Sequence, residues 1–95
     1  MRKYEVMYII RPDLEQEAVD ALVTRLNGII TDNGGEITEH EVIGKKRLAY
    51  EIKKFRDGIY VLTKFTADGS TVNELDRVIK IADDVIRHLV VRDVA

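Results

Sequence analysis

The 95-residue sequence contains no cysteine and a single proline, Pro12. The lack of cysteine excludes a disulfide framework, a cysteine metal site and a thiol nucleophile, and it fits a reducing compartment. No apolar run approaches the roughly 20 residues that a membrane helix needs, and Met1–Glu5 shows no signal-peptide pattern. We therefore expect a soluble cytoplasmic protein that makes no use of a membrane and forms one domain over residues 1–95.

Motifs of enzyme active sites are also missing from the sequence. His40 and His88 lie on different predicted strands, without the convergent carboxylates that a metal or a general base would need. The acidic pair Asp83-Asp84 fits the end of a helix, because neighbouring side chains diverge. There is no glycine-rich phosphate loop and no Gly-x-Ser-x-Gly elbow. We predict a non-enzymatic protein with no cofactor, no metal and no small-molecule substrate.

Positive charge is scarce overall but concentrated in one segment. The chain has a formal net charge of −2, whereas Gly44–Gly58, the basic strip, contains six basic and two acidic residues, a balance of +4. The remaining eighty residues must then carry −6. The cationic members of the strip are Lys45, Lys46, Arg47, Lys53, Lys54 and Arg56.

The basic strip has the features of an RNA-binding surface. Lysine and arginine neutralise phosphates, and the displaced counterions supply affinity. Tyr50, Phe55 and Tyr60 are interleaved with these cations, and aromatic rings stack on unpaired bases. The alternative is a charged strand edge that only keeps the protein soluble.

Hydrophobic periodicity predicts an α+β domain. Period-two patterns indicate strands and 3.6-residue patterns indicate helices, in the order βαββαβ of the ferredoxin-like split βαβ fold. Its four-stranded antiparallel sheet would carry two helices on one face and leave the other face open. The predicted strands are Arg2–Ile10, Ile37–Val42 interrupted by a bulge or bend at Gly44 and resumed over Arg47–Lys53, Ile59–Phe65 and Val85–Arg92.

Four local signals define the boundaries more closely. Asp13 with Gln16, and Thr71 with Glu74, have the spacing of capping boxes at the starts of the two helices. Gly34-Gly35 is typical of a helix C-terminus. Within Phe55–Gly58, the Asp57-Gly58 pair indicates a tight hairpin turn before the third strand.

The sequence also resembles a known family, the sixth protein of the bacterial small ribosomal subunit. The resemblance covers nearly the whole chain and is most specific at Gly44-Lys45-Lys46-Arg47-Leu48-Ala49-Tyr50-x-Ile52-Lys53-Lys54. It also includes Met1–Glu5, Arg11-Pro12-Asp13-Leu14 and Ile86–Val91. The chain departs from the family pattern at Ile43, Glu51 and Phe55.

What the resemblance implies is a structural constituent of the small ribosomal subunit. Such a protein would bind the central domain of 16S ribosomal RNA as a heterodimer with the very basic eighteenth small-subunit protein, during assembly of the platform. The RNA-facing residues carried over by position are Arg2, Lys45, Lys46, Arg47, Tyr50, Lys53, Lys54, Arg56, Arg87 and Arg92. The exposed sheet face with Met7, Ile9 and Leu62 would receive the partner.

A second class of function fits the same predicted fold. Ferredoxin-like domains also pair through their sheets and bind regulatory metabolites, and a fold alone does not determine function. That alternative predicts homodimers and a melting temperature that shifts with ligand, whereas the ribosomal interpretation predicts co-sedimentation with small ribosomal subunits.

Overall fold

The computed structural model describes residues 1–92, so the last three residues of the predicted domain 1–95 lie outside the described part. It contains six elements in the predicted order of strand, helix, strand, strand, helix, strand. They are β1 (Arg2–Ile10), α1 (Gln16–Asp32), β2 (Glu36–Ile52), β3 (Phe55–Ala67), α2 (Gly69–Ile81) and β4 (Val85–Arg92).

The four strands form one antiparallel sheet in the order β2-β3-β1-β4. β1 lies at its centre and pairs with β3 along its whole length, from Arg2 opposite Ala67 to Ile10 opposite Ile59. This topology confirms the predicted ferredoxin-like fold. Gly44 lies at a register shift of β2 and has a positive φ of 107°, so the predicted bulge is confirmed and glycine suits its backbone.

The main core lies between one face of the sheet and the two helices. Alternate residues of β1 point into it, and Val6, Tyr8 and Ile10 are almost fully buried. Burial raises the pKa of the Tyr8 phenol, which therefore stays neutral. The helical residues of this core are Val19, Leu22, Val23, Leu26, Ile30, Leu75, Val78 and Ile79.

Neither predicted capping box forms. The N-cap of α1 is Glu15 and makes no side-chain cap hydrogen bond. The Asp13 carboxylate instead accepts two hydrogen bonds from the Arg11 guanidinium, at 2.7 and 2.9 Å, and this pairing lowers the pKa of Asp13. Thr71 lies inside the first turn of α2, where its buried hydroxyl donates to the Asn33 carbonyl at 3.1 Å. Asp13 is therefore engaged in an ion pair and Thr71 in a tertiary hydrogen bond, and neither side chain caps its helix as the sequence predicted.

The hairpin turn is also displaced from its predicted position. β2 ends at Ile52, which pairs with Phe55, so the turn consists of Lys53-Lys54. Both lysines have positive φ, 49° and 70°, the backbone of a two-residue type I′ turn. Gly58 is a buried residue within β3, and a β-carbon there would lie 2.2 Å from Cγ2 of Ile9. Gly58 therefore allows two strands to pack closely and does not form the turn.

Candidate nucleic-acid interface

The basic strip forms a projecting β-hairpin. Pairing between β1 and β3 stops at Ile59, whereas pairing between β2 and β3 continues from Lys45 opposite Ile59 to Ile52 opposite Phe55. Residues 46–58, which we call the arm, are therefore a two-stranded ribbon that extends past the end of β1. An isolated two-stranded ribbon is marginally stable in water, so the arm needs contacts with the rest of the protein.

A second apolar cluster holds the arm against the sheet. Its buried members are Leu48 of the arm, Ile9 of β1 and Ile86 of β4. Ile52 and Phe55 of the arm pack against them. Because Ile9 alternates with the core residues of β1, this cluster lies on the sheet face opposite the helices. The arm is consequently folded against one end of the open face.

Two arginine side chains from outside the hairpin form cation–π contacts with aromatic rings of the arm. The Arg11 guanidinium lies over the Phe55 ring, 5.4 Å from its centroid. The Arg87 guanidinium lies over the Tyr50 ring at 5.7 Å, and its Nη1 donates a hydrogen bond to the Tyr50 hydroxyl. Each strand of the arm thus has one contact of this kind with an element outside the hairpin.

The six cations of the basic strip are exposed and unpaired. Among residues 1–92, none of them forms a salt bridge, whereas Lys64, Arg77 and Lys80 do. Lys46 is registered opposite Gly58 on one face of the ribbon, and side chains alternate along a strand. Lys45 and Arg47 therefore lie on the other face, and the arm presents positive charge on both faces and at its tip.

One shallow concavity on the arm combines positive charge with an aromatic ring. Arg47, Tyr50 and Arg56 contribute to its lining, and Tyr50 keeps 60% of its surface exposed. The strands lose regular register here, between Arg47 and Ile52, which opens the ribbon. In such a concavity the guanidinium groups can bind a phosphate, and an aromatic ring beside them can contact the neighbouring unpaired base.

The other predicted RNA-facing residues are divided between the two ends of the sheet. Arg87 lies beside the arm, because it pairs with Ile9. Arg2 is at the start of β1, and Arg92 is opposite Tyr4. Eight residues of strand separate Arg2 from the arm end of β1, about 26 Å at 3.3 Å per residue. The structure does not bring Arg2 and Arg92 to the arm.

The predicted partner face is only partly accessible. Met7 is 37% exposed and pairs with the half-buried Leu62, whereas Ile9 is only 8% exposed beneath the arm. Leu89 and Val91 of β4 share this face and are exposed. Residues 89–91 are all apolar, so alternation alone does not assign the faces of β4; the pairing of Leu89 with Met7 and of Val91 with Glu5 does.

Both histidines have partners within the protein. His88 Nε2 lies 2.7 Å from Asp76 Oδ1, and this hydrogen bond, followed by one from Lys80, lowers the pKa of Asp76. His40 Nδ1 lies 2.9 Å from Thr63 Oγ1. In residues 1–92 no three histidine or carboxylate side chains are grouped as metal ligands. Over the same range, no helix is both long enough and apolar enough to cross a membrane.

Comparison with known proteins identifies the family. Residues 3–92 match the family model described as Ribosomal protein S6. The small ribosomal subunit protein bS6 of Moorella thermoacetica is 52% identical over 92 residues, which cover 97% of this chain and 94% of that protein. The chain belongs to the ribosomal protein S6 family. The bS6 protein of Desulforamulus reducens is 50% identical over 93 residues, covering 98% of each chain.

The fold agrees with a solved member of the S6 family. The crystal structure of 30S ribosomal protein S6 from Thermotoga maritima superposes with a TM-score of 0.93 at 36% identity, covering 97% of this chain and 87% of that one. The resemblance to the sixth small-subunit protein is thereby confirmed. Membership makes the chain a structural, non-enzymatic constituent of the small ribosomal subunit, located on ribosomes in the bacterial cytoplasm.

The positive φ angles of Lys53 and Lys54 in this S6-family chain should cost stability, and substitution of the turn tests this. Replacing Lys53 by Asn and Lys54 by Gly is expected to raise the free energy of unfolding by about 1–2 kcal/mol, since Asn-Gly accepts a type I′ turn and lysine is strained there. Urea unfolding measures the change. The charge-matched control, Lys53→Gln with Lys54→Gln, keeps the strain and should change stability by less than about 0.5 kcal/mol. Equal stabilisation by both variants would show that charge repulsion, and not backbone strain, limits the turn.

Proposed function

We propose that this chain is a single ferredoxin-like RNA-binding domain that contacts the central domain of 16S ribosomal RNA through its arm and the adjacent Lys45. The observation that carries the proposal is the exposure of six cations with no salt bridge in residues 1–92. They lie on a ribbon that projects from a body of charge −6. A charged strand edge that only keeps the protein soluble does not need to project from the sheet. A projecting ribbon, by contrast, can enter a groove between RNA helices.

The strained tip supports the same proposal. Lys53 and Lys54 occupy backbone conformations that glycine and asparagine adopt more easily. Strained backbone conformations of this kind are concentrated at functional sites, where the side chain is needed for binding or catalysis. The ammonium groups of Lys53 and Lys54 at the tip of the arm are therefore well placed to contact an RNA phosphate backbone.

The cations are expected to position the RNA more than to select its sequence. Lysine and arginine contacts with phosphates set orientation and register but carry no direct base information. Arg47 and Arg56 also offer planar guanidinium groups for bidentate phosphate contacts. The concavity beside Tyr50, lined by Arg47 and Arg56, is assigned to one such phosphate contact.

The open sheet face is proposed as the dock for the eighteenth small-subunit protein, in a heterodimer. Met7 and Leu62 form its centre, and Leu89 and Val91 extend it to the edge strand. Ile9 is buried under the arm and adds no exposed surface to this dock. An acidic body suits a partner that is itself very basic.

The experiment is a fluorescence-anisotropy titration of a labelled transcript of the 16S central domain, from 50 to 300 mM salt, with and without the purified eighteenth protein. Six phosphate contacts predict a slope of log K against log salt of about −4 to −5. The partner should increase the affinity. The control RNA is a transcript of the 3′ domain of the same molecule. Equal affinity for the two transcripts, or a slope near zero, would overturn the proposal.

A further inference from the structure

The arm meets the opposite edge strand of the sheet through Tyr50 and Arg87, in addition to the apolar cluster that contains Ile86. Tyr50 belongs to β2, and Arg87 to β4, at the two ends of the strand order β2-β3-β1-β4. Three strand spacings of 4.8 Å place these strands about 14 Å apart in a flat sheet. The contact between the two side chains therefore requires the arm to curl over the open face. A straight continuation of the hairpin could not make it.

The other attachments lie on either side of Tyr50 along the arm. Leu48 packs on Ile9 near the base, and Phe55, next to the turn, packs against the same cluster and lies against Arg11. Tyr50 lies between them, on a stretch where β2 and β3 have no regular register, so the ribbon itself is least able to hold its shape there.

The polar groups of this contact are already engaged with each other. The Tyr50 hydroxyl accepts a hydrogen bond from Arg87 Nη1, and the guanidinium lies over the ring. Arg87 is paired opposite Ile9, next to a register shift between β1 and β4, and this pairing places its backbone beside the arm. A direct phosphate contact by Arg87 would have to compete with this arrangement.

We propose that Tyr50 and Arg87 form a clasp that holds the irregular middle of the arm against the open sheet face, so that both act in RNA binding as positioning residues. The inference rests on the proposed function for its RNA readout but not for its structural readout. The clasp orders the arm before RNA arrives, and a preordered surface gives up less conformational entropy on binding. Opening the clasp should weaken binding about three- to tenfold, the range of an exposed cation–π contact plus a hydrogen bond.

The first test uses the free protein and needs no RNA. Amide exchange and 15N heteronuclear NOEs of residues 46–58 are compared in wild type, Tyr50→Ala, Tyr50→Phe and Arg87→Gln. Tyr50→Ala and Arg87→Gln should both speed exchange in the arm severalfold, and Tyr50→Phe, which keeps the ring, should give a smaller increase. The charge-matched control, Arg25→Gln on exposed α1 surface, should leave the arm unchanged. An arm as protected in Tyr50→Ala and Arg87→Gln as in wild type would overturn the clasp.

The second test separates positioning from phosphate binding in the titration with central-domain RNA. If Arg87 bound a phosphate directly, Arg87→Gln would reduce the salt slope by about 1. The clasp predicts instead a lower affinity at every salt concentration with the slope unchanged, and the same weakening in Tyr50→Ala. The double variant should bind no more weakly than either single variant, because both substitutions break the same interaction. A reduced slope with additive effects would overturn the inference. Failure of wild type to bind RNA would refute the proposed function and leave the exchange test standing.

Discussion

Alanine at Lys45, Lys46 and Arg47 together is expected to weaken binding of the central-domain RNA by about 100-fold near 0.1 M salt and to reduce the salt slope by up to about 3. The three side chains are exposed, and none of them is held by a salt bridge within residues 1–92. Their charge is therefore free to displace counterions. They lie at the base of the arm, where Lys46 and Arg47 point to opposite faces of the ribbon.

The control for this variant changes the net charge equally, away from the arm. Alanine at Arg25, Arg77 and Lys80 also removes three positive charges, all on the helices. This control should leave the slope near the wild-type value, because long-range fields are screened beyond about 10 Å at 0.1 M salt. An equal reduction of the slope in both triple variants would assign the effect to net charge. An unchanged slope in the arm variant would exclude these three residues as phosphate contacts.

Gly58→Ala is expected to lower the free energy of unfolding by about 2–3 kcal/mol, the upper part of the range for overpacking in a well-packed site. The added β-carbon would lie 2.2 Å from Ile9 Cγ2 and 3.6 Å from Leu48 Cδ2. Ile9 is buried between strands and has little room to move. The arm would have to lift from the end of the sheet, so Gly58→Ala should also speed amide exchange at residues 46–58.

Gly69→Ala is the matched control, since a β-carbon at this first residue of α2 meets no atom within 4 Å. It should be neutral or slightly stabilising, because alanine favours the helix over glycine. A double-mutant cycle with Ile9→Ala tests the cause. Removal of the clashing Cγ2 should make the two destabilisations less than additive by about 1 kcal/mol. Additive destabilisations, measured by urea unfolding, would show that Gly58 acts through something other than contact with Ile9.

Much of the fold was predictable from local pattern. The alternation of Val6, Tyr8 and Ile10 along β1 identifies a half-buried strand, and the apolar spacing of Leu22 and Leu26 identifies the inner face of α1. These signals arise from burial on one face, which imposes a period on the sequence itself. The order of the elements then leaves few topologies open, and the ferredoxin-like arrangement is among them.

Local pattern failed where another contact competes with it. Asp57-Gly58 has the composition of a tight turn, yet close packing against Ile9 requires Gly58 inside the strand, and two strained lysines make the turn. Thr71 has the spacing of a cap but bonds to the distant Asn33 carbonyl. Spacing along the chain does not report these two partners. Asp13 differs, because its competing partner, Arg11, is only two residues away.

The candidate RNA-binding site also has features that follow from the sequence and features that depend on the fold. The order of residues is enough to show that positive charge is concentrated in Gly44–Gly58. The folded chain is needed to show that this segment projects as an arm, that Ile9 lies beneath it, and that Arg2 and Arg92 are at the far end of the sheet. It also brought Tyr50 to Arg87, 37 residues away in the chain and across two intervening strands. Strand register and curvature set such distances, and both result from packing the whole sheet.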